Sequence, residues 1–379
     1  MVTYPEDWTP MQLKDLGYIQ MCRRIFQSQT KAYGAIPFYK ISTFGGKADA
    51  YISQELYEQY KALYPYPEKG DVLISAAGTV GKTVIFDGKD SYFQDSNIVW
   101  LKVDKNAIDR KFLWWFYRSY PWEALEGTTI QRLYNSIILK TEIHLPDKPE
   151  QEEIVRTLSQ FDTYIDDLAE LIEKKRGIRD GALEDLMVGR TRIAGYCGER
   201  KEYTISDITR TVITGGTPST ARQEYYGGNI PWLSSTEIHQ KRIKKPTTYI
   251  TDLGLQNSSA KIAPERSVLI ALAGQGKTRG TAAYLTRPMA LNQSLAALVT
   301  NEKCNPEFLY YLIESMYLSL RELSSGDGGR GGLNKKLIKG VTVTIPVDVA
   351  EQETIADTLT VMDEEIEALE IGRDKIIQI

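Results

Sequence analysis

A chain of 379 residues can hold two or three domains, and its three cysteines are too few and too far apart to staple a small fold with disulfides. The composition, 42% hydrophobic and 25% charged, is that of an ordinary soluble protein, and no uninterrupted apolar run approaches the roughly 18 residues of a membrane span. The formal net charge of −4 argues against nucleic acid only if it is spread evenly, so its location has to be found first.

The N-terminal residues MVTYPEDWTP have no basic segment followed by an apolar one, so a cytoplasmic protein without a membrane partner is expected. Strand-like runs follow at Val72–Ser75, Thr83–Phe86 and Asn97–Val103, then a helical segment over 109–119. Past Pro146 and Pro149 the apolar residues Ile154, Leu158, Phe161, Ile165, Leu168 and Ile172 recur at alternating spacings of four and three, the a/d seam of a coiled coil. A helix from 150 to 189 would be on the order of 60 Å long. Strand-like runs return at Val268–Leu272, Leu295–Val299 and Val341–Ile345, with a helix predicted over 306–322. Glycine clusters at 214–217, 227–228 and 326–332 read as loops. After Pro346, a second seam of Ile355, Leu359, Met362, Ile366 and Leu369 repeats the first at a constant offset of 201, in a shorter helix.

The second half copies the first. Gly70-Asp71-Val72-Leu73-Ile74-Ser75-Ala76-Ala77-Gly78 returns as Ser267-Val268-Leu269-Ile270-Ala271-Leu272-Ala273-Gly274, and Phe112-Leu113-Trp114-Trp115-Phe116 as Phe308-Leu309-Tyr310-Tyr311-Leu312, both at an offset of 196. Gln151-Glu152-Glu153-Ile154 returns as Gln352-Glu353-Thr354-Ile355. The expected organisation is therefore α+β with a pseudo-two-fold repeat: globular domains at 1–149 and 190–348, a central heptad helix at 150–189 and a C-terminal one at 349–379, the helices pairing with one another as a coiled coil.

Division locates the charge. The helices carry −6 and −7, residues 190–348 carry +8, and residues 1–149 carry +1. The second globular unit is basic enough to track phosphates.

Catalytic motifs fail on inspection. Gly-Lys-Thr occurs at 81–83 and 276–278, but a phosphate-binding loop needs a glycine five residues before it, where Ala76 and Ala271 stand. Asn305-Pro306-Glu307-Phe308 glances at an adenine-methyltransferase motif, with Glu307 in place of its second proline; a helix start is the better reading. His144 and His239 offer neither a zinc site nor a triad. No catalytic residue, metal site or cofactor of this chain is expected. Candidates for DNA contact are polar or cationic loop residues: Thr217, Ser219, Ser234, Ser235, Gln275, Lys277, Thr278, Arg279, Arg330 and Lys335 in the second unit, and Lys47, Lys82, Thr83 and Arg132 in the first.

These features resemble the specificity subunit of type I restriction-modification enzymes. The second half carries the resemblance most clearly, in Thr214-Gly215-Gly216-Thr217-Pro218-Ser219 and Tyr225-Tyr226-Gly227-Gly228-Asn229-Ile230-Pro231-Trp232-Leu233; the first half, with Ile36-Pro37-Phe38-Tyr39-Lys40-Ile41 and Tyr92-Phe93-Gln94-Asp95-Ser96-Asn97-Ile98-Val99-Trp100, looks like another branch of the same target-recognition domain. The resemblance implies a non-catalytic subunit that reads one half of a bipartite, asymmetric sequence in double-stranded DNA with each globular domain. The heptad helices would pair as an antiparallel coiled coil, set the gap and dock two methylation subunits bringing S-adenosylmethionine and, through them, restriction subunits bringing ATP and magnesium. Two other classes stay open on the residues alone: a coiled-coil interaction or inhibitory protein whose globular units bind protein, and a nucleotide enzyme using the Gly-Lys-Thr loops.

Overall fold

The computed structural model describes residues 4–122, 132–274, 277–324 and 332–378. The chain divides into two compact units, Met1–Tyr164 and Ile165–Ile379. In chain order the first holds β1 (Thr9–Gln12), α1 (Leu13–Leu16), β2 (Gly17–Gln20), β3 (Ile36–Tyr39), β4 (Ala50–Ile52), α2 (Gln54–Leu63), β5 (Val72–Ser75), β6 (Thr83–Ile85), β7 (Tyr92–Phe93), β8 (Ile98–Val103), α3 (Arg110–Ser119), α4 (Asn135–Lys140) and β9 (Glu142–Leu145). The long α5 (Lys148–Val188) begins there and continues into the second unit. The second unit then holds β10 (Arg200–Thr204), α6 (Ile205–Ile208), β11 (Thr209–Thr214), β12 (Tyr226–Leu233), β13 (Arg242–Ile243), β14 (Thr248–Ile250), α7 (Asp252–Gln256), β15 (Lys261–Ala263), β16 (Val268–Ala271), β17 (Ala282–Leu285), β18 (Met289–Leu291), β19 (Leu295–Thr300), α8 (Pro306–Ser315), α9 (Tyr317–Leu323), α10 (Lys335–Lys339), β20 (Thr342–Pro346) and α11 (Val349–Ile377).

The repeat seen in the sequence is a repeat of topology. The first unit has sheets β2-β8-β5-β6 and β4-β3-β7 with the ribbon β1-β9; the second has β11-β19-β16-β17-β13 and β14-β12-β18-β15 with the ribbon β10-β20. Even the single parallel pairing inside the smaller sheet recurs, β3 with β7 and β12 with β18. The second unit adds β13 and β15 at the edges.

The larger sheet of each unit is covered on both faces, which is why its strands read as continuous apolar runs. Val72, Ile74, Val99 and Leu101 pack with Phe112, Leu113 and Tyr117 of α3, while Leu73, Ile98 and Trp100 point the other way, onto Phe38, Ile52, Tyr92 and Phe93 of the smaller sheet. The second unit repeats the alternation, with Val268, Ile270, Ala296 and Leu298 toward α8 and Leu269, Ala271, Leu295 and Ala297 toward the smaller sheet. A period of two along each strand thus feeds two apolar layers at once. Cys22 and Cys304 lie inside these layers, where burial pushes each thiol up to about 12; Cys197 is exposed.

Two local expectations need correction. Gly227 and Gly228 are not a loop but part of β12, at a register shift between Tyr226 and Ile230. Gly227 has φ +78°, and a Cβ on Gly228 would stand 2.5 Å from the carbonyl oxygen of Ile250, so the bulge requires both glycines. The helix predicted over 306–322 is two helices, because the backbone at Met316 leaves helical geometry and α9 restarts beyond it.

Each long helix is fastened to its own globular unit by a buried glutamine. In the first unit Gln151 Nε2 donates to the carbonyl of Pro146 (3.0 Å) and, more weakly, to that of Ala107 (3.4 Å), while its Oε1 accepts from the amide of Asp109 (2.8 Å). In the second, Gln352 Nε2 donates to the carbonyls of Pro346 (2.8 Å) and Lys303 (3.0 Å), and its Oε1 accepts from the amide of Asn305 (2.8 Å). One side chain ties the end of a strand, the start of the long helix and the N-cap of α3 in the first unit or of α8 in the second.

The heptad residues divide according to what faces them. Ile154 packs on the core of the first unit, and Ile355, Leu359 and Met362 belong to or pack on the core of the second. Leu168, Ile172 and Ile366 are buried in the second unit, where the C-terminal half of α5 lies against α11; Ile165 and Leu369 are half-buried. Lys175 with Glu365 (2.5 Å), Arg176 with Glu370 and Arg179 with Asp363 (3.0 Å) place the two helices antiparallel. Leu158 is half-buried and Phe161 exposed.

Replacing Gln352 by leucine would leave the Asn305 amide and the Lys303 and Pro346 carbonyls without their partner. The expected loss is roughly 1–3 kcal/mol. Urea unfolding of the Gln352→Leu chain measures it, and an unchanged midpoint would contradict the fastening role.

Candidate nucleic-acid interface

In both units one hairpin of the larger sheet, β5–β6 in the first and β16–β17 in the second, ends in a tight, hydrogen-bonded turn. In the first, Ser75 Oγ accepts from the Lys82 amide (2.8 Å) and donates to the Thr79 carbonyl (2.5 Å), and the Gly81 amide donates to the Ser75 carbonyl (3.0 Å). In the second, the Gly280 amide donates to the Ala271 carbonyl (2.9 Å) and the Ala271 amide to the Thr281 carbonyl (3.0 Å). Gly81 and Gly280 have φ of +83° and +84°, the left-handed turn that glycine permits.

This equivalence changes the reading of the repeated Gly-Lys-Thr. Gly81 matches Gly280 rather than Gly276, so the second hairpin loop is three residues longer and Lys277-Thr278 lie inside the insertion. Both loops also close antiparallel strands, whereas a phosphate-binding loop runs from a strand into a helix whose N-terminus holds the anion.

Neighbouring loops converge on each hairpin. In the first unit a Cβ on Gly45 would lie 2.9 Å from Lys82 Cε, so the Lys82 stem crosses the loop that carries exposed Lys47. Arg132 bridges Ala77 through the backbone, and its guanidinium sits 5.9 Å from the Tyr134 ring. The structure therefore brings Lys47, Lys82, Thr83 and Arg132 to one region, and among the described residues none of these three cations is in a salt bridge. In the second unit Thr278 Oγ1 lies 3.1 Å from His239 Nε2, and Gly332 approaches the Leu272 carbonyl, bringing the segment before Lys335 alongside. The Lys277 carbonyl accepts from Tyr317 Oη and Thr281 Oγ1 (both 2.9 Å), which fixes the backbone beneath an exposed side chain. Arg279 is half-buried, and Lys335 is exposed in the first turn of α10. Gln275 and Arg330 lie outside the described residues.

Thr217 and Ser219 sit on a second loop, and the two sequence motifs around it turn out to be one clamp. Trp232 Nε1 donates to the Gly216 carbonyl (3.1 Å) and Tyr226 Oη to the Pro218 carbonyl (2.7 Å). A Cβ on Gly215 would stand 1.8 Å from the Leu291 carbonyl oxygen, so this close approach excludes any side chain. Ser219 is exposed, and Thr217 Oγ1 donates to Gln293 Oε1 (2.7 Å).

Ser234 and Ser235 open a short 3-10 turn. The Ser234 amide donates to Glu237 Oε2 (2.9 Å) and its hydroxyl bonds Thr236 (2.6 Å), so this serine shapes the loop that carries His239. Glu237 is buried and also accepts from the Thr247 amide (3.0 Å) and hydroxyl (2.7 Å).

The hub of each cluster is a turn that the sequence reading left out. In the second unit the Asn292 amide donates to the Leu233 carbonyl (2.9 Å), Gln293 holds Thr217, and the Ser294 carbonyl accepts from the Leu272 amide (2.8 Å), so three loops meet at Asn292-Gln293-Ser294. In the first the Gln94 amide donates to the Tyr39 carbonyl (3.0 Å), Gln94 Oε1 accepts from the Ile41 amide (2.9 Å), and the Asn97 carbonyl accepts from the Ala76 amide (2.7 Å). A short polar run between two apolar strands at matching places in both halves, four residues (94–97) in the first and three (292–294) in the second, is the signal that could have exposed them. The assembled groups are cations, amides and hydroxyls, suited to phosphates and base edges. Among the described residues there is no cluster of metal-ligating side chains and no helix long and apolar enough to cross a membrane.

Comparison with known proteins agrees with this arrangement. A family model described as the type I restriction modification DNA specificity domain matches twice, over residues 5–175 and 198–376. A Haemophilus influenzae chain assigned as a type I restriction enzyme specificity subunit is 52% identical over 160 residues, covering 42% of each chain. A type I restriction enzyme specificity subunit of Escherichia coli is 25% identical over 269 residues, covering 69% of this chain and 65% of that one. The chain thus aligns with less than two thirds of either relative. The crystal structure of a type I restriction-modification S subunit from M. genitalium shares the fold with a TM-score of 0.60 at 18% identity, over 99% of this chain and 95% of that one.

Proposed function

The chain belongs to the type I restriction-modification DNA specificity family, and on that premise we propose that each globular unit reads one half of a bipartite, asymmetric DNA target. The observation that carries this reading is the loop cluster built twice on one topology with different side chains at its tip. Lys47, Lys82 and Arg132 edge the first cluster, and Thr217, Gln293, Lys277 and Thr278 the second, with His239 beside them. Two scaffolds of one plan with unlike tips are suited to two unlike half-sites.

Within such a division of labour the cations fix the position of the backbone and the amides and hydroxyls discriminate bases. The subunit itself performs no chemistry. We assign the paired stretch of α5 and α11 to spacing the two half-sites and to docking two methylation subunits, whose near two-fold arrangement would follow the internal repeat. Those partners would bring S-adenosylmethionine and flip the target adenine, and restriction subunits joined through them would bring ATP and magnesium. Action on cellular DNA places the assembly in the cytoplasm. The near-neutral first unit has fewer cations to offer than the second, so its phosphate contacts rest on Lys47, Lys82 and Arg132 or on partner subunits.

Mapping methylated adenines in cells that co-express the chain with its methylation subunit tests the assignment. A bipartite motif is expected, and exchanging residues 1–149 or 190–348 for those of another member should change one half at a time. A motif that is continuous, or that changes in both halves with either exchange, would refute it. In the purified complex, Lys277→Ala should weaken binding across sequences and reduce the slope of log affinity against log salt by about one. An unchanged slope would remove Lys277 from the phosphate-contacting set.

A further inference from the structure

Where α5 and α11 pair beyond the core of the second unit, the apolar seam does not by itself select a register. Leu168, Ile172 and Ile366 are interchangeable aliphatic residues at heptad spacing, so along this stretch a slide of seven residues, about 10 Å, would still bury them, whereas further along α5 Leu183, Leu186 and Met187 join the core with Ile355 and Leu359. Lys175 and Arg176 pair with α11 at the exposed rim, and a third cation is of another kind. Arg179, on α5 within the second unit, is only 5% exposed. Its guanidinium meets Glu314 of α8 at 2.5 Å and Asp363 of α11 at 3.0 Å, over the ring of Tyr311 at 5.6 Å. Tyr311 Oη in turn donates to Asp363 (3.0 Å), and Thr360, one turn back on α11, accepts from Arg242 (2.9 Å), which also pairs with Glu307 (3.2 Å). Apart from the exposed Asp180 beside it on α5 (3.3 Å), the carboxylates that hold Arg179 thus belong to different helices and stand at one axial level.

The first unit shows that the fold alone does not demand this arginine. At the offsets of the internal repeat, Glu314 corresponds to Arg118 and Asp363 to Asp162. Those two pair with each other directly at 3.5 Å, both about half-exposed, and need no third helix. In the second unit both positions are acidic; Lys241 stands at the margin of Asp363 (3.9 Å), and the close cation comes from α5. A heptad slip would put Ile172 or Leu186 at that level, leaving Glu314 without a cation and Asp363 with Lys241 alone, and a poorly solvated charge that loses its partner is disfavoured.

We propose that Arg179 is the register lock of the helix pair, a positioning residue that selects one axial setting of α5 on α11 and thereby one gap between the half-sites. The consequence for the gap rests on the proposed function; the lock itself does not. A buried ion triad contributes little net stability compared with uncharged residues of similar size, so its role is choice among settings that the apolar seam would otherwise tolerate.

Two readouts separate the lock from the functional reading. In the full chain with Cys197→Ser, a short bismaleimide should join Lys175→Cys to Glu365→Cys, the facing pair, and should not join Lys175→Cys to Gly372→Cys, one heptad away. Adding Arg179→Met with Glu314→Gln and Asp363→Asn removes the three charges together, and the displaced pair should then cross-link as well. Cross-linking of only the facing pair in this variant would overturn the lock. In the complex with the methylation subunit, the same triple variant should keep both half-site sequences while sites with an altered gap rise about tenfold over the unaltered protein, a shift of about 1.4 kcal/mol between settings. An unaltered gap in an active complex would overturn the link from lock to gap, whereas absence of any bipartite motif with unaltered protein would overturn the functional reading alone.

Discussion

A fully hydrogen-bonded, buried glutamine at the start of each long helix is the constraint on which the rest of this structure depends. Gln151 and Gln352 use both ends of their amides to tie the last strand of a globular unit, the first turn of the long helix and the loop that caps α3 or α8. A buried amide is costly unless it is satisfied, so the helix leaves its unit in one direction. Ile154 in the first unit, and Ile355 with Leu359 in the second, then continue into the globular core.

From that base the larger sheet sandwiches between helices and the smaller sheet, and its β5–β6 or β16–β17 hairpin projects a loop beyond the core. Apart from the edge strands β13 and β15 that the second unit adds, what varies around the site lies in the loops: the second hairpin loop is three residues longer, and the turn at its foot exchanges Gln94 for Asn292 and Gln293. Changes of this kind alter the groups displayed without touching the packing that positions them. A recognition module needs that separation between scaffold and tip.

Much of this was legible in the sequence because it lies in apolar runs and their spacing. The central strands announce themselves through double-sided burial, and the heptads through their period. The smaller sheets were harder: Ile36–Tyr39 carries Pro37, and Tyr226–Leu233 carries two glycines and Pro231, which weaken a strand pattern although the fold uses the glycines for a bulge and the proline within β12. The turns at Gln94 and Asn292 draw their importance from partners far along the chain, as Gln293 does from Thr217, and no local pattern encodes that. The repeated Gly-Lys-Thr, already unfit as a phosphate loop in the sequence, is also no structural repeat, since identical letters fall at non-equivalent places of two loops of different length. Nothing in the sequence sets Arg179 apart from the other charges of an acidic helix; its carboxylate neighbours on other helices give it a role.

The claim that two separate loop clusters each hold their own stretch of DNA is tested most directly by hydroxyl-radical footprinting of the complex with its methylation subunits. Two protected tracts separated by a reactive gap are predicted, with Lys82→Ala weakening one tract and Lys277→Ala only the other. A single continuous tract, or two tracts that weaken together with either substitution, would contradict the account.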